Sequence, residues 1–181
     1  MELGHSPVTG VEIAVDLANT GPTRSGGVDE LPDALALRRF ADAHMLLGTE
    51  ITEADLPPVR RIRAAITAAL SAEELEVAAV QLNNLIERAP ALPRLRRHDG
   101  IDWHIDWYVE GVRFPEHLAA QMAIGLMEHL VTDGFTRLGV CQAEDCRRFF
   151  LDQTRNRSKR FCDGRNCSGR THARAFRRRH G

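Results

Sequence analysis

The four cysteines of this 181-residue chain constrain its structure more than any other feature, because all of them lie in one short stretch near the C-terminus. Cys141 and Cys146 form one pair, and Cys162 and Cys167 form the other. Four residues separate the members of each pair, and fifteen residues separate the pairs. Two short turns that each present two thiolates, joined by a loop, are typical of a tetrahedral four-cysteine zinc site. The spacing therefore predicts a C-terminal segment that folds around one Zn²⁺ ion.

Three other fates of the four thiols are left open by this spacing. Disulfides, an iron–sulfur cluster, and a zinc site that releases its metal on oxidation would each use the same cysteines. The N-terminal residues MELGHSPVTG lack the basic start and apolar run of a secretory signal, and no apolar stretch reaches the roughly 20 residues of a membrane span. We therefore expect a cytoplasmic protein with no membrane partner, in which thiols stay reduced and zinc is favoured over disulfides.

The charge of the chain changes sign at the first cysteine. Residues 1–140 contain 12 arginines and 21 carboxylates, a net charge of -9, whereas residues 141–181 contain 12 basic and four acidic residues, a net charge of +8. A localised positive field attracts phosphate groups whatever the charge of the whole chain, so this asymmetry indicates a nucleic-acid partner. The alternative is a basic tail that folds back on the acidic part of the chain.

Residues 138–181, called the cysteine module below, combine aromatic and basic side chains. A module this small cannot bury enough surface to fold unaided, so we expect Phe149, Phe150 and Phe161 to form a small core beside the metal. That packing leaves the basic side chains of residues 147–160 facing outward, where they can contact phosphate groups. The predicted nucleic-acid contacts in this segment are Arg155, Asn156, Arg157, Lys159 and Arg160.

The residues after Cys167, SGRTHARAFRRRHG, predict a basic amphipathic helix. Its arginines fall on one face, whereas His172, Ala173 and Phe176 fall on the other, so one side can pack on the metal module while the other meets phosphates or a groove. So many guanidinium groups without an acidic partner repel one another, which favours an anionic ligand over a merely solvated face. The predicted contacts on this helix are Arg170, Arg174, Arg177 and Arg178.

Residues 1–137, called the body below, predict an α+β domain. The alternating apolar residues of VEIAVDL, residues 11–17, are typical of a half-buried strand. Ser71 and Glu74 have the spacing of a capping box, and Gly48 and Gly134 are placed to end helices. Apolar residues at helical spacing predict helices over about 33–47, from after Thr52 to about Leu70, from Ser71 to about Ile86, and from Pro115 to about Val131.

The segment LRRHDGIDWHIDWYV, residues 95–109, changes to strict alternation and predicts a β-hairpin with Asp99-Gly100 in its turn. Such a turn places Arg97 opposite Asp102 and Arg96 opposite Trp103. The apolar residues of the second strand share a face that we expect to point toward the core; they are Ile101, Trp103, Ile105, Trp107 and Val109. The predicted fold class is α+β, with helices packed on a small antiparallel sheet and a C-terminal four-cysteine module that ends in a basic helix.

No enzymatic activity is expected, because the body contains no phosphate-binding glycine loop, no serine nucleophile elbow and no cysteine nucleophile. His104 lies between Asp102 and Asp106, which could be drawn as an acid–base cluster. The polar face of a strand has the same appearance, and nothing places a second reacting group beside it.

The pattern C-x4-C-x3-F-x-D-x-T-R-N-x-S-x-R-F-C-x4-C, followed by an arginine-rich tail, resembles the CGNR-type zinc finger. That finger occurs at the C-terminus of bacterial proteins classed as candidate stress-induced transcription regulators. In those proteins it follows a domain called ABATE, and VDLANT, residues 15–20, is similar to the early strand motif of that domain. The resemblance implies an ABATE-like domain over 1–137 and a zinc finger over 138–181. It rests on Cys141, Cys146, Phe150, Asp152, Thr154, Arg155, Asn156, Arg160, Cys162, Cys167 and Arg170.

The motif that names this finger departs from its family pattern here. Cys-Gly-Asn-Arg is replaced by Cys167, Ser168, Gly169 and Arg170, so the hydrogen bond of the family asparagine is lost or replaced. The cysteines are unaffected, and metal binding is expected to persist.

These features together predict a DNA-binding transcription regulator stabilised by Zn²⁺. An RNA-binding zinc module, and an active enzyme body that uses the finger as a tether, are the alternatives. One module of this size buries only about 600 to 1,000 Å² on DNA, so useful affinity requires a homodimer or a further partner. The body is expected to supply that dimer or to bind a small-molecule effector.

Overall fold

The computed structural model describes residues 10–22, 27–46, 50–89, 91–98, 101–107 and 111–180, and it describes only the backbone of His98, Ile101, His104, Asp106 and His180. Among these residues there are six α-helices and two antiparallel two-stranded sheets, which confirms the predicted α+β class and the order of its parts. None of the helices in this part of the chain combines the length and apolarity needed to cross a bilayer. The helices are α1 (Gly10–Asn19), α2 (Ala34–Ala43), α3 (Leu56–Leu70), α4 (Leu75–Ile86), α5 (Phe114–Asp133) and α6 (Cys167–His180), and the strands are β1 (Arg94–His98), β2 (Ile101–Asp106), β3 (Leu138–Val140) and β4 (Phe149–Leu151).

The predicted N-terminal strand is wrong, because residues 11–17 belong to helix α1. This helix is apolar almost all round, and a short apolar run of this kind cannot be assigned from its periodicity alone. It packs against α3, α5 and β4 at the centre of the body. A methyl group on Gly125 of α5 would lie 2.6 Å from the Cα of Gly10, so the absence of side chains at both residues permits the close approach of α1 and α5. The residues of α1 that are buried are Val11, Ile13, Ala14, Val15, Leu17 and Ala18.

The other predicted helices of the body are present, with two changes at their ends. Helix α2 ends at Ala43, earlier than predicted, and Gly48 lies outside the described residues. Ser71 follows α3 as its C-terminal cap instead of starting α4, whose first residue comes after Glu74, so the predicted capping box is wrong. Helix α5 stops at Gly134 as predicted, and that glycine has a positive φ of 58°.

The hairpin of β1 and β2 is present, but its register and its environment differ from the prediction. An irregularity between Arg96 and His98 shifts the pairing, so that Arg96 lies opposite His104 and the predicted pair of Arg96 with Trp103 is wrong. The predicted pair of Arg97 with Asp102 stays a prediction. Trp103 is 59% exposed and Ile105 is 48% exposed, so this face does not point into the core. The guanidinium of Arg97 lies 5.7 Å from the centre of the Trp103 ring. Helices α1, α3, α4 and α5 bury one another's apolar faces and leave the hairpin outside the core. The predicted turn Asp99-Gly100 and the last residue of the stripe, Val109, lie outside the described residues.

Candidate metal centre and basic surface

Strands β3 and β4 position the first cysteine pair. They pair antiparallel, with Gly139 opposite Phe150. A methyl group on Gly139 would lie 2.5 Å from the Phe150 ring, so only glycine lets that ring lie across the neighbouring strand. Cys141 extends the ladder, because its N–H donates to the carbonyl of Arg148 at 2.9 Å. The N–H of Cys146 donates to the carbonyl of Ala143 at 3.0 Å, which closes the turn between the two cysteines.

The second cysteine pair reaches the same place by two other contacts. The N–H of Gln142 donates to the carbonyl of Arg160 at 3.0 Å, which brings the chain before Cys162 beside the first pair. Asn166 has a positive φ of 46°, and the chain turns there into α6, whose first residue is Cys167. The four cysteines therefore come from a strand end, two turns and a helix start.

The four Sγ atoms lie within 4.8 Å of one another, and all four residues are buried. The Sγ atom of Cys162 is 3.7 Å from that of Cys146 and 3.7 Å from that of Cys167. A tetrahedral zinc ion with Zn–S distances of about 2.3 Å holds neighbouring sulfurs about 3.8 Å apart, so this arrangement fits one ion. It is too wide for disulfides, which need about 2.05 Å, and too compact for thiolates that bind different irons of a cluster. The predicted convergence of the quartet is thus present.

The chemistry of the quartet also fits a cation. Burial raises the pKa of the Cys162 and Cys167 thiols, because a buried thiolate loses its hydration. Burial acts in the same direction on Cys141, but the backbone N–H groups of Ala143 and Cys162 donate to its sulfur, and the balance lowers its pKa. Four adjacent thiolates therefore need a central positive charge to ionise together, and a divalent metal ion supplies it.

The aromatic residues of the cysteine module are divided between two cores. Phe150 is buried against the cysteines, and Phe161 packs on the same cluster, as predicted. Phe149 instead lies in the large core of the body, so the prediction that all three rings surround the metal is wrong for this residue. Neighbouring residues of a strand point to opposite faces, which is why β4 can serve both cores.

The end of α1 binds the cysteine module directly. The side-chain amide of Asn19 donates to the carbonyl of Phe149 at 2.9 Å, and the N–H of Phe149 donates to Asn19 Oδ1 at 2.8 Å. Arg148 Nη1 donates to the carbonyl of Asn19 at 3.3 Å and to Glu30 Oε1 at 3.1 Å. The Arg148 side chain is only 17% exposed, so the prediction that it faces outward is wrong. Asn19 lies in VDLANT. This segment lies at the end of helix α1, where it contacts β4, and it does not form the predicted strand.

Asp152 organises the loop after β4. Its carboxylate accepts hydrogen bonds from the hydroxyl of Thr154 at 2.6 Å, from the N–H of Thr154 at 2.8 Å and from the N–H of Lys159 at 2.9 Å. These bonds favour the charged form and lower the pKa of Asp152, and the Thr154 hydroxyl makes the largest contribution. The loop presents Arg155 and Asn156 to solvent, where neither bonds to another described residue.

The other predicted contacts of the loop are already bound within the protein. Arg157 lies 3.3 Å from Asp133 at the end of α5. Lys159 Nζ lies 2.6 Å from Asp163, and Arg160 Nε donates to Gln142 Oε1 at 2.7 Å. Two exposed residues of the predicted set in this loop, Arg155 and Asn156, thus remain available for a ligand.

Helix α6 is present as predicted, but its arginines do have acidic partners. Asp145 lies 3.1 Å from Arg170 and 3.3 Å from Arg174, and Glu144 lies 3.7 Å from Arg174 and 3.4 Å from Arg178. The assumption of an unpaired arginine stripe is therefore wrong for these three residues. Arg177 is exposed and bonds to no other described residue.

Sequence reasoning missed the two acidic residues, although the cysteine spacing carries a signal for them. Glu144 and Asp145 lie inside the first pair, between Cys141 and Cys146. A quartet that gathers at one point must place this turn beside Cys167, where α6 begins. On the other side of α6, the His172 ring lies 6.4 Å from the Phe161 ring. Ala173 is exposed and Phe176 is 57% exposed, so the prediction that this face packs on the cysteine module is wrong for these two residues.

The departure from the Cys-Gly-Asn-Arg motif has a structural counterpart. A Cβ atom on Gly169 would lie 2.7 Å from Asn166 Oδ1, so the carboxamide of Asn166 occupies the space beside Gly169. An asparagine therefore lies against this turn of α6, although it comes from the residue before Cys167.

Ser168 lines a cleft of about 490 Å³, together with Gln153, Thr154, Lys159, Arg160, Phe161 and Asp163.

Two family models match this chain, one over the body and one over the cysteine module. Residues 12–133 match the ABATE family model, which is described as "Putative stress-induced transcription regulator", and residues 137–180 match the CGNR zinc finger model. Neither description is that of an enzyme. No curated protein matches the chain. The division of the chain into two domains between residues 137 and 138 stays a prediction.

Proposed function

Because this chain belongs to the ABATE family and carries a CGNR zinc finger, we propose that it regulates transcription by binding DNA through a zinc-stabilised cysteine module. The observation that carries the proposal is the buried quartet of sulfur atoms at the head of an arginine-rich helix. Metal binding fixes the position of that helix, and the helix supplies charge for phosphate contacts.

The proposed ligands of Zn²⁺ are the four cysteines. Because they supply four sulfurs at tetrahedral distances, no coordination position is left for water or substrate, and the ion has a structural role. The ion contributes the positive charge that keeps the thiolates together. Arg170 supports the same cluster, since its Nη2 lies 3.4 Å from the sulfur of Cys167.

The proposed DNA contacts begin with the exposed residues that bind nothing else in the described chain. Arg155 and Asn156 lie at the tip of the loop held by Asp152, where an arginine can pair with guanine and an asparagine with adenine. Arg177 lies on α6, about one turn after Arg174, and is suited to a phosphate. The homodimer and the small-molecule effector stay predictions.

A salt-dependent binding assay tests this function. The zinc-loaded protein is mixed with labelled duplex DNA at several salt concentrations, with structured RNA as competitor. We expect binding that weakens steeply with salt, and a loss of about tenfold in affinity for Arg155→Ala, because each lost contact is worth about 1 to 3 kcal/mol.

Arg61→Ala is the matched control. It removes the same charge from an exposed position in α3 of the body, and it should leave affinity unchanged. A clear preference for RNA would overturn the DNA proposal. Equal losses for Arg155→Ala and Arg61→Ala would show that the module does not form the interface.

A further inference from the structure

Two carboxylates occupy the arginine face of α6. The Asp145 carboxylate lies between Arg170 and Arg174, at 3.1 and 3.3 Å, and the Glu144 carboxylate lies between Arg174 and Arg178, at 3.7 and 3.4 Å. Three guanidinium groups thus share two anions. This is the arrangement that neighbouring phosphates of a nucleic acid would form with the same helix.

These ion pairs are weak enough to exchange. The side chains that form them are 40% to 72% exposed, and ion pairs in such positions contribute little to the stability of a protein. A phosphate offers the same guanidinium groups an equivalent partner, and it also releases the counterions condensed on the nucleic acid. Phosphates can therefore displace both carboxylates.

The carboxylates cannot leave the surface when they are displaced. Glu144 and Asp145 lie in the short turn between Cys141 and Cys146, whose sulfurs are buried in the quartet. Their negative charges stay close to α6 and repel an approaching polyanion. The net charge of the five side chains is +1, where the three arginines alone would carry +3.

We propose that Glu144 and Asp145 act as internal anions that occupy the phosphate-binding face of α6 and compete with nucleic acid for Arg170, Arg174 and Arg178. This inference rests on the proposed function, because it concerns the regulation of the same surface. The acidic pair lowers affinity for all polyanions, so that only a target with additional contacts, such as those of Arg155 and Asn156, binds well.

The test is the double variant Glu144→Gln, Asp145→Asn, which preserves shape and hydrogen-bonding atoms while it removes two charges. The matched control is Glu73→Gln, Glu76→Gln, which removes two charges from exposed positions in and before α4 of the body. Binding to duplex DNA is measured against salt for the zinc-loaded full chains, and bound zinc is quantified in each. We expect the first variant to bind about tenfold more tightly, with a steeper salt dependence, and the control to match the wild type.

The outcomes separate this proposal from the proposed function. If the wild type binds DNA and the Glu144→Gln, Asp145→Asn variant binds no more tightly, the carboxylates only orient the arginines and the competition is overturned. If neither protein binds DNA at low salt, the proposed function fails and the competition fails with it. If the double variant loses its zinc, the single variant Glu144→Gln provides the same comparison, since this side chain is 67% exposed. Tighter binding by that single variant supports competition, and equal or weaker binding overturns it.

Discussion

The body and the cysteine module are stabilised in different ways. The body buries a continuous apolar core contributed by helices α1 to α5, and it also buries the charged side chains of Asp55 and Arg63. The core of the module consists of the four cysteines, Ala143 and Phe150, with Phe161 packed beside them, and the module contains 12 of the chain's 24 lysines and arginines. The stability of the body is therefore distributed over many contacts, whereas we expect that of the module to depend on the proposed ion.

Removal of the metal is expected to have the largest effect and to separate the two regions. A chelator that strips the proposed Zn²⁺ leaves the buried thiols without a compensating charge, so α6 and the loops around Cys162 should unfold while α3 to α5 persist. Hydrogen exchange of individual amides, before and after chelation, measures this directly. Readdition of zinc should restore the protection of these amides. If α6 stays protected in fully stripped protein, the module does not depend on the metal in the way that distinguishes it from the body.

A large effect confined to the body is expected for Arg63→Ala. Arg63 Nη1 and Nη2 each lie 2.7 Å from an oxygen of Asp29, and Nη1 also donates to the hydroxyl of Thr20 at 3.1 Å. Loss of this buried guanidinium should lower the free energy of unfolding by about 3 kcal/mol, as measured by urea denaturation. Arg113→Ala, which breaks an exposed ion pair with Glu116, should lower the free energy of unfolding far less, because exposed ion pairs contribute little to stability. Bound zinc should not change in either variant.

The same pair gives the body a defined response to acid. Hydrogen bonds from Arg63 lower the pKa of Asp29 below its usual value of 3.8. A lowered pKa in the folded state contributes stability that is complete above the unfolded value and is lost as pH falls through the folded one. Asp29→Asn should therefore cost about 2 kcal/mol at pH 7.

The difference in the free energy of unfolding between Asp29→Asn and the wild type should shrink as pH falls below about 4. Urea denaturation of both proteins between pH 3 and 7 measures that difference. Loss of metal at low pH affects both proteins equally, so the difference reports on Asp29. A difference that stays constant down to pH 3 would contradict this assignment.

The smallest effect is expected at the contact between the two regions. Asn19→Ala removes both hydrogen bonds to the Phe149 backbone and should cost about 1 kcal/mol. Zinc content should stay the same, while exchange of the Phe149 amide becomes faster. Asn19→Asp keeps the acceptor oxygen and is the matched control, with a smaller increase in that exchange rate. An unchanged rate in Asn19→Ala would show that the contact does not hold the module.

Features set by local spacing could be predicted from the sequence. The cysteine quartet converges because two pairs with equal spacing can surround one ion. Helices α3 and α5 follow from apolar periodicity, and α6 follows from the spacing of its arginines. Gly134 ends α5 where a residue with positive φ is required.

Features set by tertiary contacts could not be predicted in this way. Helix α1 is buried on nearly all sides, with Asp16 as its one exposed residue, so its apolar residues are not confined to one face. The irregularity near Arg96 shifts the hairpin register without any glycine or proline to mark it. Phe149 and Phe150 have the same chemistry, and only the packing of β4 on α1 directs one ring to the body and the other to the metal centre.

The contacts at the two ends of α1 give this helix a mechanical consequence. Gly10 lies against α5 at one end of α1, and Asn19 hydrogen-bonds to β4 at the other end. A helix of 10 residues is about 15 Å long, which is the distance between the two contacts. Because a helix is stiff along its axis, α1 holds these two contacts at a fixed separation. The position of the Phe149 backbone, and with it that of β4, is therefore set relative to α5.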